Sequence, residues 1–505
     1  MRPGVLAIAL AAACTVGPKY HVPHAPVPAT PGYKEANRAG PWRVASPADA
    51  MLRGAWWKIF REPELDALEA QLDLHNQTLA QAYATYMAAR AQIRIARSQY
   101  FPTVSIAPNV TTGRGGAGTT TGSAGSIIST TSPSAARIGA SSGRFTSYSL
   151  PVEASWAPDL FARVRNQVRE AKYNAQASAA DLESTRLLEQ ATLAETYFEV
   201  RGQDALADLL DATVKADAAI AETARSRFET GVDTEIAAVQ AEQTLQTARV
   251  QATNAAILRA QYEHAIATLV GQPATTFSIA KRAMLAAAPA IPVGTPSRLL
   301  ERRPDIAAAE RTMAAANAAV GVGYAAYYPD LTLSASAGFE SNAISSLLSW
   351  PSRVWALGAT LAETIFDGGL RGATIDQAIA QYNATVASYR QTVLAAFQNV
   401  EDELAATSIL ATEIEQQRKD VELAQRAFEL EKGRFETGID PYIDLMQEQA
   451  LLLAAQQTMV TLQVQQMASA VALVEALGGG WDRSALPSPD DVAKQPPKSA
   501  RSMSR

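Results

Sequence analysis

The stretch from Arg227 to Asp233, with the sequence RFETGVD, recurs as RFETGID from Arg434 to Asp440. The distance between the two copies, from Gly231 to Gly438, is 207 residues. Further matches lie in the same order on either side: Gln240 with Gln447, and YFP at 100–102 with YYP at 327–329. One match could be chance, but several matches in one order indicate an internal duplication.

Each half of the chain predicts a helix, two strands separated by a loop, a very long helix, a tight turn and a long return helix. No proline occurs between Pro158 and Pro273 or between Pro351 and Pro441, and both stretches are rich in helix-forming residues. The predicted helices are 61–99, 158–227 and 234–270 in the first repeat and 304–327, 367–435 and 441–477 in the second. An unbroken helix from Leu370 to Glu436 would extend roughly 100 Å. A periplasmic conduit accounts for such a rod, whereas a globular domain does not.

Two strand pairs are predicted, in a first β-hairpin at 100–157 with an external loop and a second at 328–366. In the second pair, apolar and small polar residues alternate: Leu331, Leu333, Ala335, Ala337 and Phe339 against Thr332, Ser334, Ser336, Gly338 and Glu340. One apolar face is also typical of a β-sandwich strand. Here, however, the other face is small and polar, and Tyr or Trp lies near the strand ends, which is typical of transmembrane strands around a wet lumen.

Four strands per chain are too few to close a barrel, since the smallest outer-membrane barrels have about 8. Open strand edges are not tolerated in hydrocarbon, so strands from several chains must close together. Three copies would give twelve strands, although this argument alone does not fix the number of copies. The predicted fold is an α+β membrane protein with an internal duplication. A solitary solvated coiled coil would explain the helices but not the strands.

The N-terminus predicts a secretion signal at 1–13, with Arg2 before the apolar run Val5 to Ala12. That run is far shorter than the ~18 residues of a spanning helix. Cys14, the only cysteine, follows small residues and resembles the lipidated cysteine of a bacterial lipobox, although Ala11 stands where leucine is more common. We expect diacylglycerol and a fatty acyl chain on Cys14, the alternative being a cysteine inside a discarded signal. An N-terminal arm would follow to residue 60.

Composition opposes catalysis and nucleic-acid binding. The chain has 44 basic and 50 acidic residues, a net charge of −6 and no basic block, so no nucleic-acid partner is expected. The four histidines have no metal-ligand spacing, and no glycine-rich phosphate loop follows a strand. We therefore predict no enzyme activity, no metal and no cofactor other than the lipid.

Short motifs along residues 14–481 resemble those of TolC-like outer-membrane efflux proteins, in the NodT-class lipoprotein branch that serves resistance-nodulation-division pumps. They are CTVGPKY at 14–20, WW at 56–57 with Phe60, LD at 65–66, LLERRPDI at 299–306, YP at 328–329, FDGG at 366–369 and ALGGGW at 476–481. The resemblance implies a homotrimer with a twelve-stranded β-barrel continuous with a long periplasmic α-helical barrel. It also implies a lipid-anchored location in the outer membrane, with a large periplasmic portion.

The same resemblance implies a passive exit duct for drugs or other small toxic compounds. Its partners would be a periplasmic adaptor, an inner-membrane pump of the resistance-nodulation-division class and outer-membrane lipid. A type I protein-secretion outlet and a lipid-anchored coiled coil without a pore remain as alternatives. Belt and linker residues are expected at 271–303 and a disordered tail at 482–505. Trp56, Trp57 and Phe60 are expected to pack rather than to bind a ligand.

Two sets of site residues follow from the resemblance. Helix-hairpin tips that meet the adaptor correspond to Thr230, Gly231, Val232, Thr437, Gly438 and Ile439, although Gly231 and Gly438 are also simple turn-formers. A periplasmic gate corresponds to Ile443, Asp444 and Gln447. Three copies of Asp444 around an axis would form a cation-favouring ring. The alternative is a solvated surface carboxylate, and a paired acidic lock is not evident because the equivalent position is Ala237.

Overall fold

The computed structural model describes residues 16–26, 32–35, 54–114, 144–282, 288–289, 291 and 300–494. The predicted signal, Cys14 and most of the predicted external loop lie outside these ranges. The chain divides into two compact units. One unit takes the described residues of Met1–His21, Ala91–Lys172 and Ala314–Asn383, and the other takes those of Val22–Arg90, Tyr173–Met313 and Ala384–Arg505.

The helices of the described ranges reproduce the duplication in their lengths. In chain order they are α1 (Pro63–His75), α2 (Gln77–Ser98), α3 (Arg163–Glu229), α4 (Glu235–Leu269), α5 (Pro304–Ala325), α6 (Leu370–Glu436) and α7 (Tyr442–Ala476). Helices α3 and α6 each have 67 residues, α4 and α7 each have 35, and α2 and α5 each have 22. None of the described helices has both the length and the apolar character that a membrane crossing requires.

The first predicted helix, 61–99, is wrong as a single helix because it breaks at Asn76. Asn76 adopts an extended backbone, and its side-chain oxygen accepts a hydrogen bond from the Leu79 amide at 2.9 Å, as an N-cap does. Its amide group donates to the Glu189 carboxylate and to the Leu269 carbonyl, both at 2.9 Å. These contacts fix α1 and α2 as separate helices.

The two long helices begin later than the predicted residues 158 and 367. Asp159 accepts hydrogen bonds from the amides of Val164 and Arg165, both at 3.0 Å, just inside the start of α3. Asp367 accepts from the Gly369 amide at 3.0 Å and the Arg371 amide at 3.2 Å at the start of α6. Each aspartate satisfies amide groups that have no partner within the helix, and negative charge is favourable there.

One antiparallel sheet contains β1 (Thr103–Ile106), β2 (Asn109–Arg114), β3 (Arg144–Trp156), β4 (Asp330–Ser341) and β5 (Arg353–Ala362). The strand order is β1-β3-β4-β5, and β2 also pairs with β3. The first predicted strand is therefore divided in two, with Ala107 and Pro108 between its parts. Proline has no amide hydrogen for the ladder, which accounts for the interruption. Because β1 and β2 both pair with the same edge of β3, the sheet is still four strands wide.

A hydrophobic cluster in the second unit contains the tryptophans near the N-terminal arm. Trp56, Trp57 and Phe60 lie in a 3-10 turn and are 1%, 8% and 4% exposed. The Phe60 ring packs against Phe198 of α3, with centroids 5.1 Å apart. These aromatic residues therefore pack in a core, as expected from the sequence.

The predicted disordered tail, 482–505, is wrong over its first part. Residues 483–485 form a 3-10 turn, and Asp482 caps it by accepting from the Ser484 amide at 2.9 Å. Val492 is 1% exposed, and its carbonyl accepts from Arg90 Nε at 3.1 Å. Gln176 of α3 also donates to the Pro487 carbonyl at 2.8 Å. Contacts with α2 and α3 thus order residues 482–494, and the remaining residues lie outside the described ranges.

Candidate functional site

The register of the sheet aligns the apolar faces of its strands. Residues directly opposite each other in an antiparallel pair point to the same side. The aligned rows are Trp156–Leu333–Ala359, Val104–Ala154–Ala335–Leu357, Ile106–Val152–Ala337–Trp355 and Leu331–Leu361. The apolar residues that alternate along each strand therefore form one continuous apolar face across the sheet.

This apolar face is exposed in the isolated chain. Trp355 and Leu357 are each 76% exposed, and Val104 and Leu361 are each 67% exposed. The opposite face carries small polar rows such as Ser155–Ser334–Gly358 and Thr332–Thr360. An exposed apolar patch of this extent marks a surface that contacts another apolar phase or another molecule.

The sheet also ends in two open edges. Strands β1 and β2 occupy one edge and β5 the other, and within the described residues no further strand pairs with either edge. Every residue of β5 is exposed. Unpaired strand edges are templates for pairing with another strand, so both edges are available to a further strand.

Both repeats of RFETG end their long helix in the same turn. Gly231 and Gly438 have φ of +76° and +79°, a conformation that L-residues other than glycine rarely adopt. The Gly231 amide donates to the Phe228 carbonyl and the Val232 amide to the Arg227 carbonyl, both at 2.9 Å. The second turn repeats these two bonds from Gly438 and Ile439. This is the Schellman geometry that reverses a chain at a helix end.

The six predicted adaptor-contact residues lie together at the two tips. All of them are exposed: Thr230, Gly231, Val232, Thr437, Gly438 and Ile439. Val232 is 68% and Ile439 67% exposed, so each turn presents one apolar side chain to solvent. The glycines provide the turn, and Val232 and Ile439 provide an exposed apolar surface on it.

A contact between the two tips was not expected from the sequence. The Arg227 guanidinium lies over the Phe435 ring, 4.8 Å from its centroid, and Nη1 donates to the Phe435 carbonyl. Phe435 is 1% exposed and packs against Tyr442, with ring centroids 5.9 Å apart. A cation over an aromatic face adds to the apolar packing at this place.

The predicted gate residues lie on the exposed side of α7. Ile443, Asp444 and Gln447 are exposed, whereas Tyr442 and Leu445 are buried. Spacings of three and four residues place the three gate residues on one face of the helix. The exposed carboxylate of Asp444 fits both the gate and the surface-charge interpretation.

A buried carboxylate lies between the hairpins, one that the sequence analysis did not identify. Asp217 of α3 is 3% exposed and accepts a hydrogen bond from the Gln449 amide group of α7. Burial raises the pKa of Asp217 to about 6. The amide oxygen of Gln449 is also buried and has no partner among the described residues. Burial therefore makes the Asp217 carboxyl hold its proton to higher pH than an exposed aspartate does.

The residues that follow Cys14 are held by two asparagines. Asn166 of α3 donates to the Val16 carbonyl at 3.1 Å, and Asn317 of α5 donates to the Pro18 carbonyl at 3.2 Å. A Cβ on Gly17 would lie 2.7 Å from the Gly321 Cα, so the arm backbone lies directly on α5. Single asparagines within long helices gave no sequence signal for this contact.

Within the described residues, no group of three or more His, Cys, Asp or Glu side chains is placed to hold a metal ion. The geometry instead consists of surfaces, namely one apolar sheet face, two open edges and two exposed tips. Such surfaces are suited to contact lipid and other protein chains.

Comparison with known proteins adds independent evidence. The family model described as outer membrane efflux protein matches residues 68–272 and 295–479. The chain is 31% identical over 471 residues to the probable efflux pump outer membrane protein TtgC of Pseudomonas putida, covering 93% of each chain. It is 32% identical over 470 residues to the pyoverdine export outer membrane protein OpmQ of Pseudomonas aeruginosa, covering 90% of this chain and 95% of the relative.

A solved structure gives the same comparison in three dimensions. The outer-membrane channel OprN is 27% identical to this chain, with a TM-score of 0.79. The alignment covers 93% of this chain and 100% of OprN.

Proposed function

The chain belongs to the outer membrane efflux protein family, and from that membership we propose which assembly it forms, how it couples to a pump and what it exports. It is an outer-membrane efflux channel protein and not an enzyme. The proposal is a homotrimer with a twelve-stranded barrel, closed by three four-stranded sheets, and a helical barrel. It acts as the passive outlet of a tripartite efflux system.

One observation carries the trimer proposal, namely the open sheet with a single apolar face. Its two free edges favour closure with further copies, because an open edge in hydrocarbon leaves backbone groups without partners. Its apolar face then meets lipid, and its small polar face lines a wet lumen. Twelve strands lie within the range of known outer-membrane barrels.

The proposed pump partners are a periplasmic adaptor and an inner-membrane pump of the resistance-nodulation-division class. Exposed Val232 and Ile439 at the tips support adaptor docking, since they are the apolar side chains that the two turns present. The proposed cargo is drugs or other small toxic compounds. Relatives named for an efflux pump and for pyoverdine export favour small compounds over secreted proteins as cargo.

The proposed gate is a ring of Asp444 side chains from three copies, with Ile443 and Gln447 beside it. Their common exposed face on α7, opposite the buried Tyr442 and Leu445, supports this arrangement. Three carboxylates around a narrow axis would favour cations.

The proposed lipid anchor is a diacylglycerol and fatty acyl group on Cys14. The hydrogen bonds that Asn166 and Asn317 donate to the Val16 and Pro18 carbonyls support this proposal, because they hold the chain that begins two residues after Cys14. Cells fed labelled palmitate should label the wild-type protein and not Cys14→Ser. Label on the serine variant would contradict the assignment.

Coupling to the pump is tested by placing a charge on both tips, in the double variant Val232→Arg/Ile439→Arg. We expect normal amounts of protein in the outer membrane and no export of a dye by the intact pump. Gly438→Trp is a poorer choice, because Gly438 has positive φ and its Cβ position lies 3.3 Å from Arg227 Nη2.

The matched control is Val250→Arg, at a valine of α4 that is 59% exposed. Position 250 lies 15 residues beyond the start of α4, which is about 22 Å along the helix. Export should persist in this control. Unchanged export by the tip variant would refute the docking proposal, and a protein that gives neither heat-resistant trimers nor conductance in planar bilayers would refute the channel assembly.

A further inference from the structure

The two tips have the same sequence but different surroundings. The Arg227 side chain is 17% exposed, whereas its repeat equivalent, Arg434, is 54% exposed. Phe435 is 1% exposed, whereas its equivalent, Phe228, is 40% exposed. The difference cannot come from the local sequence, because six of the seven residues of RFETG[V/I]D are identical.

The difference arises from one contact that is made in one direction only. Arg227 of the first tip covers the Phe435 ring of the second tip and donates to its carbonyl. The position of a Cβ on Gly438 is 3.3 Å from Arg227 Nη2, whereas a Cβ on Gly231 would meet nothing within 4 Å. The first tip therefore contributes the arginine, and the second tip contributes the aromatic residue and the glycine beside it.

Both arginines also bind the aspartate of their own turn. Arg227 Nε lies 3.7 Å from Asp233, and Arg434 Nη2 donates to Asp440 at 2.9 Å. A guanidinium has five N–H donors, so the ion pair within the turn leaves donors for a second partner. Arg227 donates from Nη1 to the Phe435 carbonyl, whereas the Arg434 guanidinium remains exposed beyond its ion pair with Asp440.

We propose that Arg434 of one copy lies over Phe228 of the neighbouring copy, and so makes between copies the contact that Arg227 makes with Phe435 within a copy. This inference rests on the proposed trimer. In a closed ring the two kinds of hairpin alternate, so the exposed arginine of one copy faces the exposed phenylalanine of the next. The equal lengths of α3 and α6, and of α4 and α7, bring the two motifs to the same level.

The residues around the two contacts differ in charge. Within a copy, the first hairpin contributes Ala224, Ala237 and Ala241 to the apolar cluster that contains Phe435. The equivalent residues of the second hairpin, 207 positions later, are Glu431, Asp444 and Glu448. The contact between copies would thus be surrounded by carboxylates, where the cation Arg434 lowers their mutual repulsion.

Cysteine pairs test the two contacts in parallel. Arg434→Cys/Phe228→Cys probes the contact between copies, and Arg227→Cys/Phe435→Cys is the matched control within a copy. Outer membranes from each strain are treated with a bismaleimide as long as an arginine side chain and are run on a denaturing gel. We expect covalent dimers and trimers from the first pair. The second pair should give a monomer with a link between its two tip peptides, and each single-cysteine variant should remain monomeric.

A second measurement preserves an aromatic ring at the site. Phe228 is replaced by the photoreactive p-benzoylphenylalanine, with Phe435 replaced in the same way as the control. Illumination should link position 228 to a peptide containing Arg434 of another chain, and position 435 to a peptide containing Arg227 of the same chain.

Treatment of the same membranes with glutaraldehyde distinguishes a wrong Arg434–Phe228 contact from a wrong trimer. If glutaraldehyde gives trimers while both probes at 228 give monomers only, the Arg434–Phe228 contact is wrong and the proposed channel stands. If glutaraldehyde also gives monomers only, the trimer itself is wrong, and the contact fails with it.

Discussion

Asp217→Asn should stabilise the folded protein at neutral and alkaline pH. The Asp217 carboxyl is buried between α3 and α7, and burial raises its pKa from 3.8 to about 6. That change corresponds to about 3 kcal/mol in favour of the protonated form. Asparagine has the same shape, keeps an acceptor for the Gln449 amide group and adds a donor for the buried Gln449 oxygen.

The sign of the pH dependence follows from proton binding. The folded protein binds the Asp217 proton more tightly than the unfolded chain does, so this group stabilises least at high pH. Its contribution falls as pH rises from about 4 to about 6 and is constant above that range. The advantage of the asparagine variant should therefore be about 3 kcal/mol per copy at pH 8 and about 1 kcal/mol at pH 4.5.

The assay is denaturant unfolding of the detergent-purified channel at the two pH values, followed by tryptophan fluorescence. Other carboxylates titrate in the same range, so the difference between variant and wild type is the quantity compared. Glu222→Gln, at an exposed position of α3, is the control and should show no such difference. A stability difference that is the same at pH 4.5 and pH 8 would refute the buried-carboxylate explanation, as would a variant that is less stable at pH 8.

Three further predictions concern the sheet, the gate and a helix end. Leu357→Lys, on the apolar face, should reduce the amount of assembled protein in the outer membrane, because a cation near the bilayer midplane costs roughly 2–4 kcal/mol. The control Thr360→Lys, on the polar face, should assemble normally. Equal yields of the two variants would contradict the orientation of the sheet. Asp444→Asn should lower cation selectivity in single-channel recordings, and unchanged selectivity would favour a surface charge instead of a gate. Gly478→Ala should abolish folded trimers on a heat-modifiability gel, because Gly478 has φ of +93° and its Cβ would lie 2.2 Å from the Arg302 carbonyl oxygen; wild-type trimer levels would contradict this.

The repeat motif was sufficient to predict the long helices and their turns. Because RFETG recurs and no proline interrupts the flanking stretches, the ends of α3 and α6 at Glu229 and Glu436 were predictable to within two residues. The second strand pair was equally accessible, since its alternation is strict and its register aligns the same faces. Local periodicity fixes such elements without knowledge of their neighbours.

Features that depend on distant contacts were not predictable. Asn76 is acceptable within a helix by pattern alone, and its bonds to Glu189 and Leu269 determine the break between α1 and α2. Val492 was expected in a disordered tail because its surroundings are polar in sequence, yet it is buried among residues far along the chain. Periodicity within one segment holds no information about partners more than a hundred residues away.

The tips show the same limit in another way. Arg227 and Arg434 occur in nearly identical local sequences, so no sequence rule distinguishes the one that covers Phe435 from the one that remains exposed. The placement of the two hairpins against each other within the chain decides this, and that placement is a property of the tertiary structure.

The matched helix lengths also constrain how this protein changes during evolution. An insertion of one heptad into α3 alone would move the first tip about 10 Å away from the second and separate Arg227 from Phe435. The return helix α4 would need the same insertion to bring the chain back to its starting level, and α6 and α7 would need it to restore the match between tips. A change in length must therefore occur in all four helices together. A lineage that spans a wider compartment must acquire coordinated insertions in α3, α4, α6 and α7 rather than a single one.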